Sequence, residues 1–366
     1  MHGSCAWRVG VLSTVRVVPA LLAEDLALLA GSRQQWDPLR GARIFLTGGT
    51  GFVGRWLVSA FVHANRRHRL GARLELLTRD PGAFAQACPE LVGDDAVALV
   101  EGDVRTADLV GVHCTHVIHG ATPSDARLNE ERPQEMLEII ENGTRRMLDL
   151  ASRRGAPRFL LLSSGAVYLP PAPKGGYTED SPIGPVWPEE SSAYHAGKRA
   201  SEALTLAASD AGLPVTIARP FAFVGPHLPL DGHFAIGNFI GDALSGRPVR
   251  VKGDGSPVRS YLYAAEMAAW LWAMLADERA TGRAYNVGSE DAVTIAEVAR
   301  VVAAAVQPSV TVSIARTGMC SARDVYVPST RRARQELGLR QTVGLVEAVR
   351  RTVAWHRAPP GGACAG

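Results

Sequence analysis

The segment Leu46-Thr47-Gly48-Gly49-Thr50-Gly51-Phe52-Val53-Gly54 carries glycines at 48, 51 and 54, between a short apolar run from Arg43 to Thr47 and a helical stretch opening near Phe52. A strand, a tight turn and a helix in immediate succession leave a chain few folds to adopt. The missing side chains permit the turn and let backbone N–H groups close on phosphate oxygens, and the helix N-terminus adds partial positive charge. The spacing predicts a seat for the pyrophosphate of a dinucleotide, built from Gly48, Gly51, Phe52, Val53 and Gly54. An ordinary turn is the alternative reading of the glycines alone.

A second signal lies far downstream. Tyr194-His195-Ala196-Gly197-Lys198 sets a tyrosine and a lysine four apart, on one helical face, and Ser163-Ser164 ends a strand before them. Together with the glycine turn they describe a hydride-transfer site; the bland reading is a buried tyrosine beside a surface lysine. An unperturbed phenol titrates near ~10, so a base working near neutrality needs its pKa lowered by roughly three units, or about 4 kcal/mol. The Lys198 ammonium is expected to contribute by stabilising the phenolate. His195 falls on a different helical face and is expected to point to solvent.

From Ala42 to about Ile217, strand-like runs alternate with helical ones: Arg43 to Thr47, Leu74 to Thr78, Ala96 to Glu101, His116 to His119, Arg158 to Ser163 and Val215 to Ala218. Such alternation predicts an α/β chain with a doubly wound parallel sheet, whose ligands sit at the carboxyl ends of the strands. After Pro220 the texture changes, with Pro, Gly and His crowded between Gly225 and Gly237, as expected of a smaller lobe over the substrate. Pro19 to Ser32 reads as a short amphipathic helix, a cap or partner-contact element. Ala358 to Ala363 reads as a loose tail.

The 366 residues allow one large domain or two coupled ones, and a net charge of +3 from 39 Lys and Arg against 36 Asp and Glu supplies no basic stripe for nucleic acid. Cys5, Cys88, Cys114, Cys320 and Cys364 lie far apart without metal-ligand spacing, so free thiols in a reducing cytoplasm and no metal are expected. Charged residues interrupt the apolar N-terminal runs well short of the ~20 residues a membrane span requires, so no membrane association is expected.

In their joint order, the glycine turn, Ser163-Ser164, Tyr194 and Lys198 are accompanied by Glu101-Gly102-Asp103-Val104, Thr115-His116-Val117-Ile118-His119-Gly120-Ala121, Gly253-Asp254-Gly255, Arg259-Ser260-Tyr261-Leu262-Tyr263 and Tyr285-Asn286-Val287-Gly288-Ser289. This set resembles the extended short-chain dehydrogenase/reductase family, in its nucleotide-sugar epimerase and dehydratase branch. The resemblance implies a Rossmann-like NAD(P)-binding domain over residues 41–218, after an N-terminal extension over 1–40. A substrate-binding lobe over 219–357, interleaved with that domain, and a flexible tail over 358–366 complete it. It implies Ser164, Tyr194 and Lys198 as the catalytic set, with Ser164 rather than Ser163 on the substrate oxygen and Lys198 also on the cofactor ribose. Asp103 and Val104 are implied near the adenine, and Gly120, Ala121 and Thr122 along the dinucleotide. Arg259 is implied on the substrate diphosphate, with Asn238 placed near it by position. A homodimer is expected through the helices after Asn129 and before Leu213.

Within the family, dehydratases and decarboxylases carry a glutamate two before the tyrosine that ends this strand motif, where this chain has Ala166, two before Tyr168. That favours a 4-epimerase, which only removes a hydride and returns it to the other face of a rotated 4-ketose. A 4-ketoreductase, a 4,6-dehydratase or a non-catalytic NAD(P)-sensing protein are the alternatives. The second strand ends in Thr78, followed by Arg79 instead of an acid, which leans from NAD toward NADP, with Asp80 as a possible ribose acceptor. Ala222 and Ile140 stand where many relatives carry asparagine, and the first of these departures leaves the diphosphate contacts, and so the nucleotide, open.

Overall fold

The computed structural model describes residues 23–123, 126–155, 158–184, 192–232, 234–315 and 324–358. Seven strands make the central sheet: β1 (Arg43–Thr47), β2 (Arg73–Thr78), β3 (Val97–Glu101), β4 (His116–His119), β5 (Arg158–Leu162), β6 (Val215–Pro220) and β7 (Arg283–Val287). Their order is β7-β6-β5-β4-β1-β2-β3, with every neighbouring pair parallel.

The doubly wound form follows from the strand period of two. Ile44 and Leu46 of β1, Ile118 of β4 and Leu160 of β5 join one apolar cluster, while Phe45, Val117, Phe159 and Leu161 join another on the opposite face. Helices α1 (Ala23–Ala30), α2 (Phe52–His68) and α5 (Ala264–Ala276) cover the first face; α3 (Pro133–Arg154) and α4 (Ala193–Asp210) cover the second. Close helix packing on the second face needs Gly197, since a Cβ there would lie 2.9 Å from Ile140 Cδ1. Ile140 is thus a helix-packing residue.

Strand order reverses between β1 and β4, and their carboxyl ends form the crevice where such sheets bind ligands. Gly48 closes it, at φ +78°, where an added Cβ would approach Gly120 O to 2.5 Å.

Two segments outside residues 41–218 pack against the sheet and its helices. Residues assigned to the substrate lobe return to the sheet: β7 pairs with β6 in register Tyr285 with Ala218, and α5 lies against α1 and α2. Residues 23–39 of the expected extension belong to the core. Asp25 is fully buried, accepting from Tyr263 Oη at 2.7 Å and Arg351 Nη1 at 2.8 Å, and buried Trp36 meets Trp272 at 5.2 Å between ring centroids. Residues 1–22 and 359–366 lie outside the described residues. Among the described residues no helix is long and apolar enough to cross a membrane, no His, Cys, Asp or Glu cluster suits a metal, and Cys88 and Cys114 are buried.

Candidate active site

The three spaced glycines have different reasons to be glycine. A Cβ on Gly54 would lie 2.3 Å from Gly48 O, so this position and Gly48 are dictated by the chain's own backbone. Gly51 is exposed, and a Cβ there would meet only Gly48 O, at 3.6 Å. It is also the N-cap of α2, a 17-residue helix whose first turn has no capping side chain. The uncapped first turn of this helix, at Phe52 and Val53, beside the open space over Gly51, fits a dinucleotide pyrophosphate, with Gly48 and Gly54 shaping the turn beneath it.

Thr47 ties this turn to the neighbouring strand end. Its Oγ1 accepts from Gly120 N at 3.2 Å and Ala121 N at 3.1 Å, and meets His119 Nδ1 at 2.8 Å. The chain of hydrogen bonds continues from His119 Nε2 to Thr144 Oγ1 at 3.2 Å and from there to Ser201 Oγ on α4 at 3.0 Å. Burial pushes the His119 imidazole down to about 3, so this ring is a neutral strut between the glycine turn and the helix bearing Tyr194.

At the end of β2, Arg79 is exposed, and Asp80 is committed elsewhere: its Oδ1 accepts from Ala83 N at 2.8 Å and caps the helix Pro81–Ala87. The Asp103 carboxylate is held below its usual range, first by the hydrogen bonds from Arg105, at 2.9 Å from Nε and 3.1 Å from Nη2, with Arg79 adding a weaker attraction. Val104 is buried against α3, where a Cβ on Gly143 would come within 3.1 Å of it.

Tyr194 sits in the first turn of α4. Ser192 caps this helix by accepting from His195 N at 3.3 Å, and Asn129 Oδ1 accepts from Tyr194 N at 2.9 Å. The two serines at the end of β5 separate in role. Ser163 Oγ donates to Glu202 Oε1 at 2.5 Å, whereas Ser164 Oγ accepts from Ala166 N at 3.1 Å and lies beside the Tyr194 phenol, whose pKa it pulls down against burial. Lys198 Nζ donates to Leu162 O at 2.7 Å and Thr122 Oγ1 at 2.9 Å, and lies 5.9 Å from the centre of the Tyr194 ring. Ser164, Tyr194, Lys198 and Thr122 therefore meet at the carboxyl end of β5.

Two expectations change. Lys198 is bonded to a carbonyl and a hydroxyl instead of the phenol, and burial pushes its amine down to about 7. Burial also pushes the Tyr194 phenol up, with Ser164 pulling it the other way. His195, expected in solvent, is half-buried and meets the Tyr194 ring edge-on at 6.2 Å.

On the substrate side the geometry is more dispersed. Arg259 Nη1 donates to Val258 O at 2.9 Å and Asp324 O at 3.0 Å, and Nη2 to Asp324 Oδ2 at 2.6 Å. The Asn238 amide donates to the loop carbonyl of Gly232 at 3.0 Å, a local bond that does not join it to Arg259.

Sequence reasoning missed three features. Tyr326 brings its hydroxyl to the turn at Gly165, beside Ser164, from a strand distant in sequence, and Asn129 fixes the start of α4. A buried network runs from Glu202 through Arg219, at 2.7 and 2.9 Å, to Tyr168 Oη at 2.9 Å and on to Asn286 Oδ1 at 2.7 Å. Asn286 was visible inside a motif, but a buried Arg, Glu and Tyr scattered along a chain carry no local pattern.

A family sequence model described as NAD dependent epimerase/dehydratase family matches residues 44–288. UDP-glucuronic acid decarboxylase 1 of Arabidopsis thaliana is 30% identical over 320 residues, covering 86% of this chain and 70% of that protein. The structure of MoeE5 in complex with UDP-glucose and NAD superimposes with a TM-score of 0.71 at 25% identity, over 86% of this chain and 98% of that one. A UDP-glucose 4-epimerase from Thermotoga maritima, at 20% identity and a TM-score of 0.71 over 86% of this chain and 98% of that one, shares the fold.

Proposed function

Because this chain belongs to the NAD-dependent epimerase/dehydratase family, we propose that it is a nucleotide-sugar 4-epimerase with Ser164, Tyr194 and Lys198 as its catalytic set. The observation that carries this reading is the company kept by the Tyr194 and Ser164 hydroxyls. They lie close together beside Ala166, whose N–H donates to Ser164 Oγ at 3.1 Å, and the nearby carboxylate, Glu202, is locked in a buried pair with Arg219 at 2.7 Å. Elimination of water from a 4-ketose needs a further group to take the proton from the neighbouring carbon. Among the described residues none stands at position 166 to do so, whereas epimerisation asks for no such group.

In this reading Ser164 orients the sugar C4 hydroxyl and Tyr194 takes its proton, then returns it from the same phenol after the ketose turns over. Lys198, Thr122 and the Gly48–Gly54 turn hold the dinucleotide. When bound, that cofactor supplies hydride acceptance and return, and its positive ring lowers the phenol pKa that burial raises.

A second reading, UDP-glucuronic acid decarboxylase, is favoured by the 30% identity to such an enzyme over most of the chain. A 4-keto uronate is a β-keto acid and loses carbon dioxide without a base, so this step does not require the glutamate that decarboxylases of the family carry where Ala166 stands. Incubating the protein with UDP- and dTDP-hexoses and with UDP-glucuronic acid, followed by mass spectrometry, separates the two. An isomeric hexose product supports epimerisation. Loss of carbon dioxide from the uronate with all hexoses untouched rejects it in favour of the decarboxylase.

Cofactor choice is tested at Arg79. With Asp80 serving as a helix cap, no free carboxylate ends β2 to accept the ribose diol, and an exposed guanidinium suits a 2′-phosphate. Arg79→Ala is expected to weaken NADP binding by about tenfold, the effect of losing one charge-assisted contact, while NAD binding stays within a factor of two. Equal losses for both dinucleotides in a titration overturn the NADP preference.

A further inference from the structure

One short segment of this chain fills both polar seats on the substrate side. The strand Val325–Tyr326 runs parallel to Val258–Arg259, with Val325 opposite Val258 and Tyr326 opposite Arg259. Residues two apart on an extended chain project to the same face, so Asp324 and Tyr326 act together. Asp324 Oδ2 takes Arg259 Nη2 at 2.6 Å. Tyr326 lies under the same guanidinium, 5.9 Å from ring centre to Cζ, and its hydroxyl reaches the turn at Gly165, beside Ser164. Phe221 packs on the ring at 4.6 Å. Gly165 makes the reach possible, because a Cβ there would sit 2.6 Å from the Tyr326 oxygen.

We propose that Asp324 and Tyr326 are specificity-determining residues that imitate the substrate from within the chain: the carboxylate fills the diphosphate seat on Arg259, and the phenol fills the sugar-hydroxyl seat on Ser164. This inference rests on the roles assigned above to Arg259 and Ser164. A ligand gains only the difference between its own contacts and those it replaces. A diphosphate outweighs one carboxylate on Arg259, whereas an uncharged nucleoside offers nothing to exchange. The Asp324 side chain is 65% exposed, which keeps the pair weak enough to open. Tyr326 is held between Phe221 and Arg259, so it yields its place beside Ser164 only to a sugar delivered by a diphosphate already held. The two exchanges in series select intact nucleotide sugars over nucleosides and free sugars.

The test is isothermal titration of the NAD-saturated protein with UDP, dTDP, GDP, CDP and ADP, then with the nucleoside of the tightest binder. Asp324→Asn is expected to bind that diphosphate about tenfold tighter and the nucleoside unchanged, while Arg259→Ala binds the diphosphate at least tenfold weaker. Tyr326→Phe should leave the diphosphate within a factor of two but lower KM for the matching nucleotide sugar about threefold, with kcat not raised in step. If Asp324→Asn binds no tighter while Arg259→Ala weakens binding, the imitation by Asp324 is wrong and the role of Arg259 stands. An unaffected Arg259→Ala, or no diphosphate bound by any form, overturns the role of Arg259 and the inference with it. An unchanged KM in Tyr326→Phe overturns the part played by the phenol.

Discussion

Tyr194→Phe lowers turnover of the nucleotide sugar by about 10²- to 10⁴-fold, the range lost when a positioned acid–base group is removed. The substitution deletes one oxygen and keeps the ring, its edge-on contact with His195 at 6.2 Å and the helix start anchored by Asn129. Dinucleotide affinity and melting temperature therefore stay near those of the parent. The pH profile carries the mechanism. Burial raises the Tyr194 phenol above its usual value, so the base form grows as pH rises, and parent kcat/KM climbs on the alkaline side of neutrality. The residual rate of the variant is flat over that range. Turnover within threefold of the parent, or an unchanged pH profile, removes Tyr194 from the chemistry.

Arg219→Ala has the largest expected effect on stability, about 3–5 kcal/mol, because it leaves the Glu202 carboxylate buried without its partner. Arg219 and Glu202 are 6% and 4% exposed and share two hydrogen bonds, of 2.7 and 2.9 Å. The same guanidinium holds Tyr168 Oη at 2.9 Å and Glu179 O at 3.0 Å, so two further groups lose a donor. Replacing both members, as Arg219→Met with Glu202→Leu, recovers much of the loss, since apolar side chains of similar length remove the uncompensated charge. Denaturant melts of the single and double variants check this. A single variant that loses less than about 1 kcal/mol would show the pair to be solvated like a surface one. Glu202 also holds Ser163 at 2.5 Å, so the single variant should disturb β5 directly before Ser164.

Much of this architecture was legible before any coordinates. The alternation of strand and helix announced a parallel sheet, and the six strands read between Arg43 and Ala218 lie within a residue or two of those observed. The seventh, Arg283–Val287, was seen only as a motif, because its place beside β6 depends on pairing with residues far upstream. Ser164 and Tyr194 were picked out from local motifs, and the structure brings their hydroxyls together. Asn129, Asp324 and Tyr326 were not found, since each acts on a residue distant in sequence and none sits in a repeating pattern. The behaviour of Lys198 was also out of reach: a lysine one turn from a tyrosine suggests attraction between the two, but the depth at which both lie decides their titration.

The sequence by itself determined what depends on neighbours along the chain: the period of two that assigns Ile44 and Phe45 to opposite faces, the turn that needs Gly48 and Gly54, and the helical step from Tyr194 to Lys198. Only the tertiary structure decided which serine faces the phenol, that Arg259 already holds Asp324, and that Asp25 and Trp36 are core residues. The reason is physical. Backbone geometry and hydrophobic period act over a few residues and recur, so they leave a pattern. A buried charge or hydroxyl is satisfied by whatever partner the folded chain brings within about 3 Å, and that partner can come from anywhere in it.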